Sequence, residues 1–420
     1  SSNVYSGGTV YVSGGSLTMT GGSISNNTAS DLSGGGIYVS SDGTATISGG
    51  SISSNSAASG GGIYSAGTLT LSDEADVRAN TATNGGGIYV SSDGTATISG
   101  GCISGNTASS NGGGVYNAGI LTMSGGIISS NTASSTGGGM FNEGSLFMYG
   151  SAVIGDSSKT ECATDTAYSN KATDGGSGIR TTSTVYLGYS DASTKAALTG
   201  GVCYNASDGI SILCGTVFMD SGSISYNYGR GLYVGSNDGV KYGNFTMSGG
   251  EVSGNGSSGT DCGGGIYAGY HGKVKLEGGS ISSNTAQNGG GLGLKNCYSS
   301  LDMSGGSISS NRATGNGGGI YAEMDTSYTG YIKMSGGSIS SNTASSNGGG
   351  VHIAYGPFTM SGGEITGNSS SSYGGGICNA GSLAITGGTI SANTATTGGG
   401  GIAVWGTLKM GEAAYIPAGD

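Results

Sequence analysis

Residues 43–67 read GTATISGGSISSNSAASGGGIYSAG, and this stretch contains every feature that the rest of the chain repeats. Apolar residues alternate with small polar ones in three short pieces. An Asn follows the second piece, and a Gly triplet precedes the third. Because alternation with period two is typical of strands and not of helical turns, the stretch predicts one coil made of three short β-strands.

The same unit recurs along the whole 420-residue chain. An Ile three residues before an Asn, with a Gly triplet several residues later, is found at 24–27, 52–55, 103–106 and 390–393. A period of about 25 to 31 residues is the signature of a solenoid. Since no helical pattern could supply crossovers, we predict an all-β fold: a right-handed parallel β-helix of about 13–15 coils.

Stacking the repeats in register predicts three inward rows of apolar residues. Their first members are Met19, Ile47 and Leu71; Ile24, Ile52 and Val77; and Ile37, Ile63 and Ile88. About five buried side chains per coil, at ~1.5–3 kcal/mol each, offset only part of the cost of ordering ~25 residues at ~1–2 kcal/mol each. Hydrogen bonds between coils must therefore supply the rest.

One Asn per coil is predicted to form an internal ladder, because its amide both donates and accepts along the stack. We also expect the Asn to take the left-handed backbone of a corner. The Gly triplets are interpreted as tight corners with positive φ. The predicted ladder is Asn27, Asn55, Asn80, Asn106, Asn131, Asn170, Asn205, Asn227, Asn255, Asn284, Asn311, Asn342, Asn368 and Asn393.

Domain organisation and charge limit the classes of function. We predict one continuous β-helix domain over residues 1–420, with loop insertions near 155–170 and 188–197, as a piece of a longer surface protein. A net charge of −11 opposes binding to nucleic acid. No apolar run approaches the roughly 18 residues of a transmembrane segment, and residues 1–4 form no signal peptide. The oligomeric state is not predicted.

No cofactor or metal is expected. The seven cysteines, at 102, 162, 203, 214, 262, 297 and 378, take different offsets in their repeats, so they form no disulfide ladder, although a Cys203–Cys214 bridge is conceivable. No spacing indicates zinc. His271 and His352 have no nucleophile signature nearby. Asp156, Glu161 and Asp165 could bind calcium but lack EF-hand spacing.

A polysaccharide-degrading catalytic site would need a cluster of acidic side chains. The densest cluster is Asp73, Glu74, Asp76 and Arg78, and the equivalent positions one coil away on either side carry no carboxylate. We therefore expect no catalytic residues and no enzyme. A pectate-lyase-like polysaccharide-degrading enzyme stays as the alternative, since such enzymes need clustered carboxylates.

Two outward rows are candidate surfaces. Thr-x-Thr pairs at 44/46, 68/70 and 95/97 resemble the rows of ice-binding solenoids, which is the second alternative; charged residues such as Lys275, Asp302 and Lys333 occupy that face later. The other row is aromatic and either binds sugars or a partner protein, or stabilises the sheet by ring contact, which is the simpler interpretation. Its members are Tyr38, Tyr64, Tyr89, Tyr116, Phe141, Tyr233, Tyr267 and Tyr321.

The repeat resembles a known family. Gly-Gly-Gly-Ile-Tyr after Ile-x-x-Asn is similar to the paired GGAI and FxxN motifs of chlamydial polymorphic outer-membrane proteins, although Ile24, Ile52 and Ile103 stand where that family favours Phe. The resemblance implies a right-handed β-helix of the pectin-lyase-like type at a bacterial cell surface. It further implies a secreted or surface-displayed, adhesin-like scaffold whose partner is a host or environmental glycan or surface protein.

Overall fold

The computed structural model describes residues 7–156, 169–236, 240–256, 261–324 and 330–416. Within these ranges the secondary structure consists of short β-strands, without helices, stacked as about 14 turns of a parallel β-solenoid. The chain divides into two compact units, residues 1–211 and 212–420. The expectation of a single continuous domain stays a prediction.

A complete turn has three faces, which we call A, B and C. In one turn Ile88–Val90 lies on face A, Thr95–Ile98 and Cys102–Ser104 lie on face B, and Thr107–Ala108 lies on face C. Each strand pairs in parallel with its equivalents in the turns before and after, so that Ile88 lies between Ile63 and Val115. Faces A and B contain the three predicted strands. The Thr-Ala strand of face C is an addition.

In the first unit, strands of the three faces alternate along the chain. Face A comprises Val10–Val12, Ile37–Val39, Ile63–Ser65, Ile88–Val90, Val115–Asn117, Met140–Asn142 and Ile179–Thr181. Face B comprises Ser16–Ser25, Thr44–Ser53, Thr68–Leu71, Asp76–Arg78, Thr95–Ile98, Cys102–Ser104, Ile120–Met123, Ile127–Ser129, Ser145–Met148, Val153–Gly155, Thr184–Leu187 and Gly201–Cys203. Face C comprises Thr28–Ser33, Ser56–Ser59, Thr81–Asn84, Thr107–Ala108, Thr132–Ala133 and Lys171–Ala172.

The second unit repeats the arrangement, and the face A strand Ile210–Leu213 contains residues 211 and 212, between which the chain is divided. Face A comprises Leu232–Gly235, Ile266–Ala268, Leu292–Lys295, Ile320–Glu323, Val351–Tyr355, Ile377–Asn379 and Ile402–Val404. Face B comprises Thr216–Met219, Ser223–Ser225, Gly243–Met247, Glu251–Ser253, Gly272–Leu276, Ser280–Ser282, Ser300–Met303, Ser307–Ser309, Tyr331–Met334, Ser338–Ser340, Pro357–Met360, Glu364–Thr366, Ser382–Ser391 and Thr407–Tyr415. Face C comprises Thr285–Ala286, Arg312–Ala313, Thr343–Ala344, Ser369–Ser370 and Thr394–Ala395.

Strand alternation fills the interior. Leu121 and Met123 are fully buried, whereas Thr122 between them points outward. The predicted rows are in register, as Ile98 pairs with Met123 and Ile103 pairs with Ile128. Leu121 belongs to a further inward row that includes Leu69. The core thus contains more apolar rows than the three predicted.

The Asn ladder is confirmed in each unit. Each side-chain amide donates to Oδ1 of the Asn one turn on, at 2.8–3.1 Å, from Asn27 to Asn205 in the first unit and from Asn227 to Asn393 in the second. The expected backbone of these residues is wrong, however. The left-handed φ belongs to the preceding residue, such as Ser54 (φ 57°) or Ala79 (φ 53°). The ladder Asn therefore stabilises the corner through the hydrogen bonds of its side-chain amide and not through a left-handed backbone.

The Gly triplets form the corner before face A. The first Gly has positive φ, 67° at Gly112. A Cβ on the second, Gly113, would lie 2.5 Å from the carbonyl oxygens of Gly138 and Thr132 in the next turn. Side chains are excluded here because the turns approach one another closely.

The two expected insertions differ in how far they are described. Residues 157–168 of the first lie outside the described residues, and so do Glu161 and Asp165 of the expected calcium group. In the second, 188–197, Tyr189 and Lys195 form an antiparallel bridge. Asp191 Oδ1 accepts hydrogen bonds from the backbone N–H groups of Ser193 and Thr194, each at 2.8 Å.

Candidate functional site

The aromatic row on face A of the first unit is a continuous stack of rings. Its ring centroids are 4.6–5.2 Å apart, because parallel pairing places one ring above the next. Interplanar angles are 7–16°, except for 31° at the last pair. We call this stack the tyrosine row; it consists of Tyr11, Tyr38, Tyr64, Tyr89, Tyr116 and Phe141.

The stacking changes what the row presents to solvent. Each interior ring, such as Tyr64, lies between two neighbours that cover both of its faces. Within the stack, therefore, the flat ring faces are turned toward one another and not toward solvent. Ring edges and phenol hydroxyls remain available along the row, while Tyr11 at one end is 49% exposed and Phe141 at the other is buried.

Burial and a carboxylate shape the electrostatics of the row. Burial is the main cause that raises the pKa of Tyr38 and of Tyr89. Tyr116 donates a hydrogen bond from Oη to Glu143 Oε2. Burial, this bond and the Glu143 charge together raise the pKa of Tyr116. The hydroxyls of Tyr38 and Tyr89 consequently stay protonated at neutral pH and can both donate and accept.

The predicted aromatic positions of the second unit form pairs and not one stack. Tyr233 and Tyr267 lie 5.6 Å apart with a 33° tilt, and Tyr321 stacks on His352 at 5.5 Å and 4°. Gly293 stands in register between Tyr267 and Tyr321, which interrupts the row. Burial is the first cause that raises the pKa of Tyr267 to about 12.

The acidic cluster does not gain carboxylates from the fold. Asp76 pairs in register with Ser51 on one side and Cys102 on the other, as expected. Its Oδ2 lies 3.1 Å from Arg78 Nε. No group of three or more metal-ligating side chains occurs among the residues that the structure describes.

One of the two threonine columns on face B is longer than predicted. Thr18 and Thr122 extend the column of Thr46, Thr70 and Thr97, so five threonines lie in register before Phe147 replaces them. Thr18 and Thr122 were not predicted, because the prediction rested on Thr-x-Thr pairs. The residues two positions before them are Ser16 and Ile120, not Thr. In the second unit Lys275, Asp302 and Lys333 lie in register on this face.

His271 and Cys203 are both buried. His271 is buried with its ring 4.8, 4.5 and 4.6 Å from those of Tyr242, Tyr270 and Tyr298. Cys203 Sγ lies 3.7 Å from the Asp156 carbonyl oxygen. Burial is the main cause that raises the pKa of Cys203 to about 12, so its thiol is not poised as a nucleophile.

A groove in the second unit was not predicted. It encloses about 710 Å³ at the corner between faces A and B. Its lining residues come from turns far apart in sequence but adjacent in the stack, so no local motif marks them. They are Gly330, Tyr331, Tyr355, Gly356, Pro357, Ala380, Gly381, Ser382, Gly406 and Thr407.

Comparisons with known proteins do not assign the chain to a family. Protein-family models, curated proteins and solved structures were searched, and none of them matches the chain. The described ranges also contain no helix that is long and apolar enough to cross a membrane.

Proposed function

We propose that the chain is a non-enzymatic scaffold, secreted or displayed at a bacterial cell surface, that attaches to a glycan or a surface protein through the tyrosine row. The observation that supports this proposal is the unbroken stack from Tyr11 to Phe141 on an outward face. Its hydroxyls repeat at the spacing of the turns, about 4.8 Å. A rigid ribbon of phenol edges costs little conformational entropy on binding.

The chemistry of the row fits neutral or weakly polar partners. Tyrosine combines an apolar ring with a hydroxyl that donates and accepts, which is why it is common at binding surfaces. The overall charge of −11 disfavours anionic partners. A chain with 94 glycines and only 9% charged residues agrees with an extracellular location.

Removal of hydroxyls without removal of rings tests this proposal. The purified chain is screened against immobilised glycans and extracellular matrix proteins. The triple variant Tyr38→Phe, Tyr64→Phe and Tyr89→Phe is then compared on each ligand bound. A control triple, Tyr149→Phe, Tyr373→Phe and Tyr415→Phe, removes hydroxyls outside the row. Loss of attachment in the first variant and not in the control supports the proposal.

Ice binding is the second candidate, favoured by the in-register column from Thr18 to Thr122. Successive threonines along a strand are about 6.7 Å apart and those of adjacent turns about 4.8 Å apart, which gives a regular array. Thermal hysteresis that disappears in a Thr46→Lys, Thr70→Lys variant would favour this function over attachment.

A further inference from the structure

We propose that the groove of the second unit is a separate binding site for a neutral oligosaccharide. The groove belongs to the second unit and the tyrosine row to the first, and the proposal does not depend on the function proposed for the row. Its volume of about 710 Å³ falls within the range of ligand sites, roughly 300–1,000 Å³.

The groove follows the stack. Its face B wall is one outward column, in which Pro357 pairs with Ser382 and Ser382 pairs with Thr407. Tyr331 begins this wall one turn earlier, since Ile332 beside it pairs with Phe358. Four turns at about 4.8 Å give a length of about 14 Å between the first and last. This length suits a short chain of sugar rings.

Glycines make the groove open. Gly356, Gly381 and Gly406 occupy the corner in successive turns. A Cβ on Gly381 would lie 2.5 Å from the carbonyl oxygen of Gly356, so the spacing of the turns keeps side chains out of this corner. The floor is therefore backbone, and the contacts available to a ligand come from the walls.

Two tyrosines supply the aromatic surface. Tyr355 is 58% exposed at the end of its face A strand. Tyr331 is held in place, because its Oη donates to Asp302 Oδ2 at 2.8 Å and Lys333 Nζ lies 4.2 Å from its ring centroid. A fixed ring and an exposed ring that line the same groove offer apolar surfaces against which the C–H face of a sugar can pack.

The polar groups favour a sugar over a peptide. The backbone N–H groups of Ser382 and Thr407 donate to Gly356 and Gly381 carbonyls at 3.0 and 2.9 Å, so they are used within the stack. A peptide that adds as a strand needs such groups. The exposed Ser382 and Thr407 hydroxyls can instead bond sugar hydroxyls.

Charge decides between neutral and acidic sugars. None of the ten described lining residues carries a charge, and the chain as a whole is acidic. Among the described lining residues an acidic sugar would therefore find no cation to pair with, and Lys333, the cation beside Tyr331, already lies against that ring. The ligand class that fits is a neutral glucan, mannan or similar chain.

The test is titration of the purified chain with neutral hexasaccharides of β-1,4-glucan, β-1,3-glucan, mannan and chitin type. Trp405, the chain's only tryptophan, precedes Gly406 and serves as the fluorescence reporter. We expect at least one neutral hexasaccharide to bind and Tyr355→Ala to weaken its affinity about tenfold. The control is Tyr415→Ala, because Tyr415 is similarly exposed, at 61%, and lies outside the groove.

Other outcomes overturn the proposal. These are no binding of any neutral hexasaccharide at millimolar concentration, equal affinity of the wild-type chain and Tyr355→Ala, or equal losses in Tyr355→Ala and Tyr415→Ala. Selective binding of polygalacturonate or of a proline-rich peptide also contradicts it. Binding that survives in the Tyr38→Phe, Tyr64→Phe, Tyr89→Phe variant separates this site from the tyrosine row.

Discussion

Asn80 donates two hydrogen bonds to a single oxygen atom of Asn106. The side-chain amide of Asn80 donates to Asn106 Oδ1 at 3.0 Å, and its backbone N–H donates to the same oxygen at 2.9 Å. Asn106 repeats both bonds toward Asn131, each at 3.0 Å, and also donates to the Val77 carbonyl at 2.9 Å. Both side chains are fully buried, so water cannot replace these partners.

Asn106→Leu is expected to lower the free energy of unfolding by about 3 kcal/mol, because several buried groups lose their partners together. Ser129→Ala, on an outward face B position of the same unit, is the control and should change stability by less than about 0.5 kcal/mol. Urea unfolding followed by circular dichroism measures both. Equal midpoints for the two variants would refute a stabilising ladder.

Loss of a ring from the tyrosine row should cost more than loss of a hydroxyl. Tyr89 lies 5.2 Å from Tyr64 and 4.6 Å from Tyr116, centroid to centroid. Tyr89→Ser removes two aromatic pairs and should cost about 1–3 kcal/mol, whereas Tyr89→Phe keeps them and should cost less than about 0.5 kcal/mol. Thermal unfolding compares the two. Similar melting temperatures would mean that ring contact contributes nothing to the sheet.

Acid should weaken the second unit through His352. Burial lowers the pKa of His352 from 6.5 to about 4, and its buried Nδ1 has no hydrogen-bond partner. Between these values the unfolded chain takes up a proton that the folded chain does not. Stability is therefore complete above pH 6.5 and falls as the pH decreases toward 4.

The matched variant His352→Phe keeps a ring against Tyr321 but removes the titration. Going from pH 7 to pH 5, the wild-type chain should lose about 1–2 kcal/mol more stability than the variant, because carboxylate effects cancel between them. Chemical unfolding at the two pH values measures this difference. An identical pH dependence in both proteins is the contrary result.

The sequence predicts those parts of the fold that repeat with side chains of distinctive chemistry. Ile52 and Asn55 recur in step, so the inward rows and the ladder follow from spacing alone. The face C strand Thr107–Ala108 has only two residues, which is too short to show alternation. A second buried amide contact, from Asn117 Nδ2 to Asn142 Oδ1 at 2.7 Å, occurs in too few turns to stand out.

The candidate surfaces likewise contain residues that the sequence predicts and residues that it does not. Tyr38, Tyr64, Tyr89 and Tyr116 follow a marked motif and were found, whereas Tyr11 precedes the first clear repeat and was missed. The coverage of ring faces depends on ring orientation, which spacing does not give. Tyr331 and Tyr355 contact one groove because the stack brings their turns together, and nothing near either residue in the sequence indicates it.

The central claim is that the tyrosine row attaches the chain to a glycan or a surface protein. Measuring attachment after hydroxyls of the row are removed tests this claim most directly. The dissociation constant of the Tyr38→Phe, Tyr64→Phe, Tyr89→Phe variant is measured on the best ligand from the screen, beside the wild-type chain and the Tyr149→Phe, Tyr373→Phe, Tyr415→Phe control. We predict at least about tenfold weaker attachment for the row variant, as expected from two or three lost hydrogen bonds, with an unchanged melting temperature. Equal affinity of all three proteins, with every fold intact, would contradict a binding role for the row.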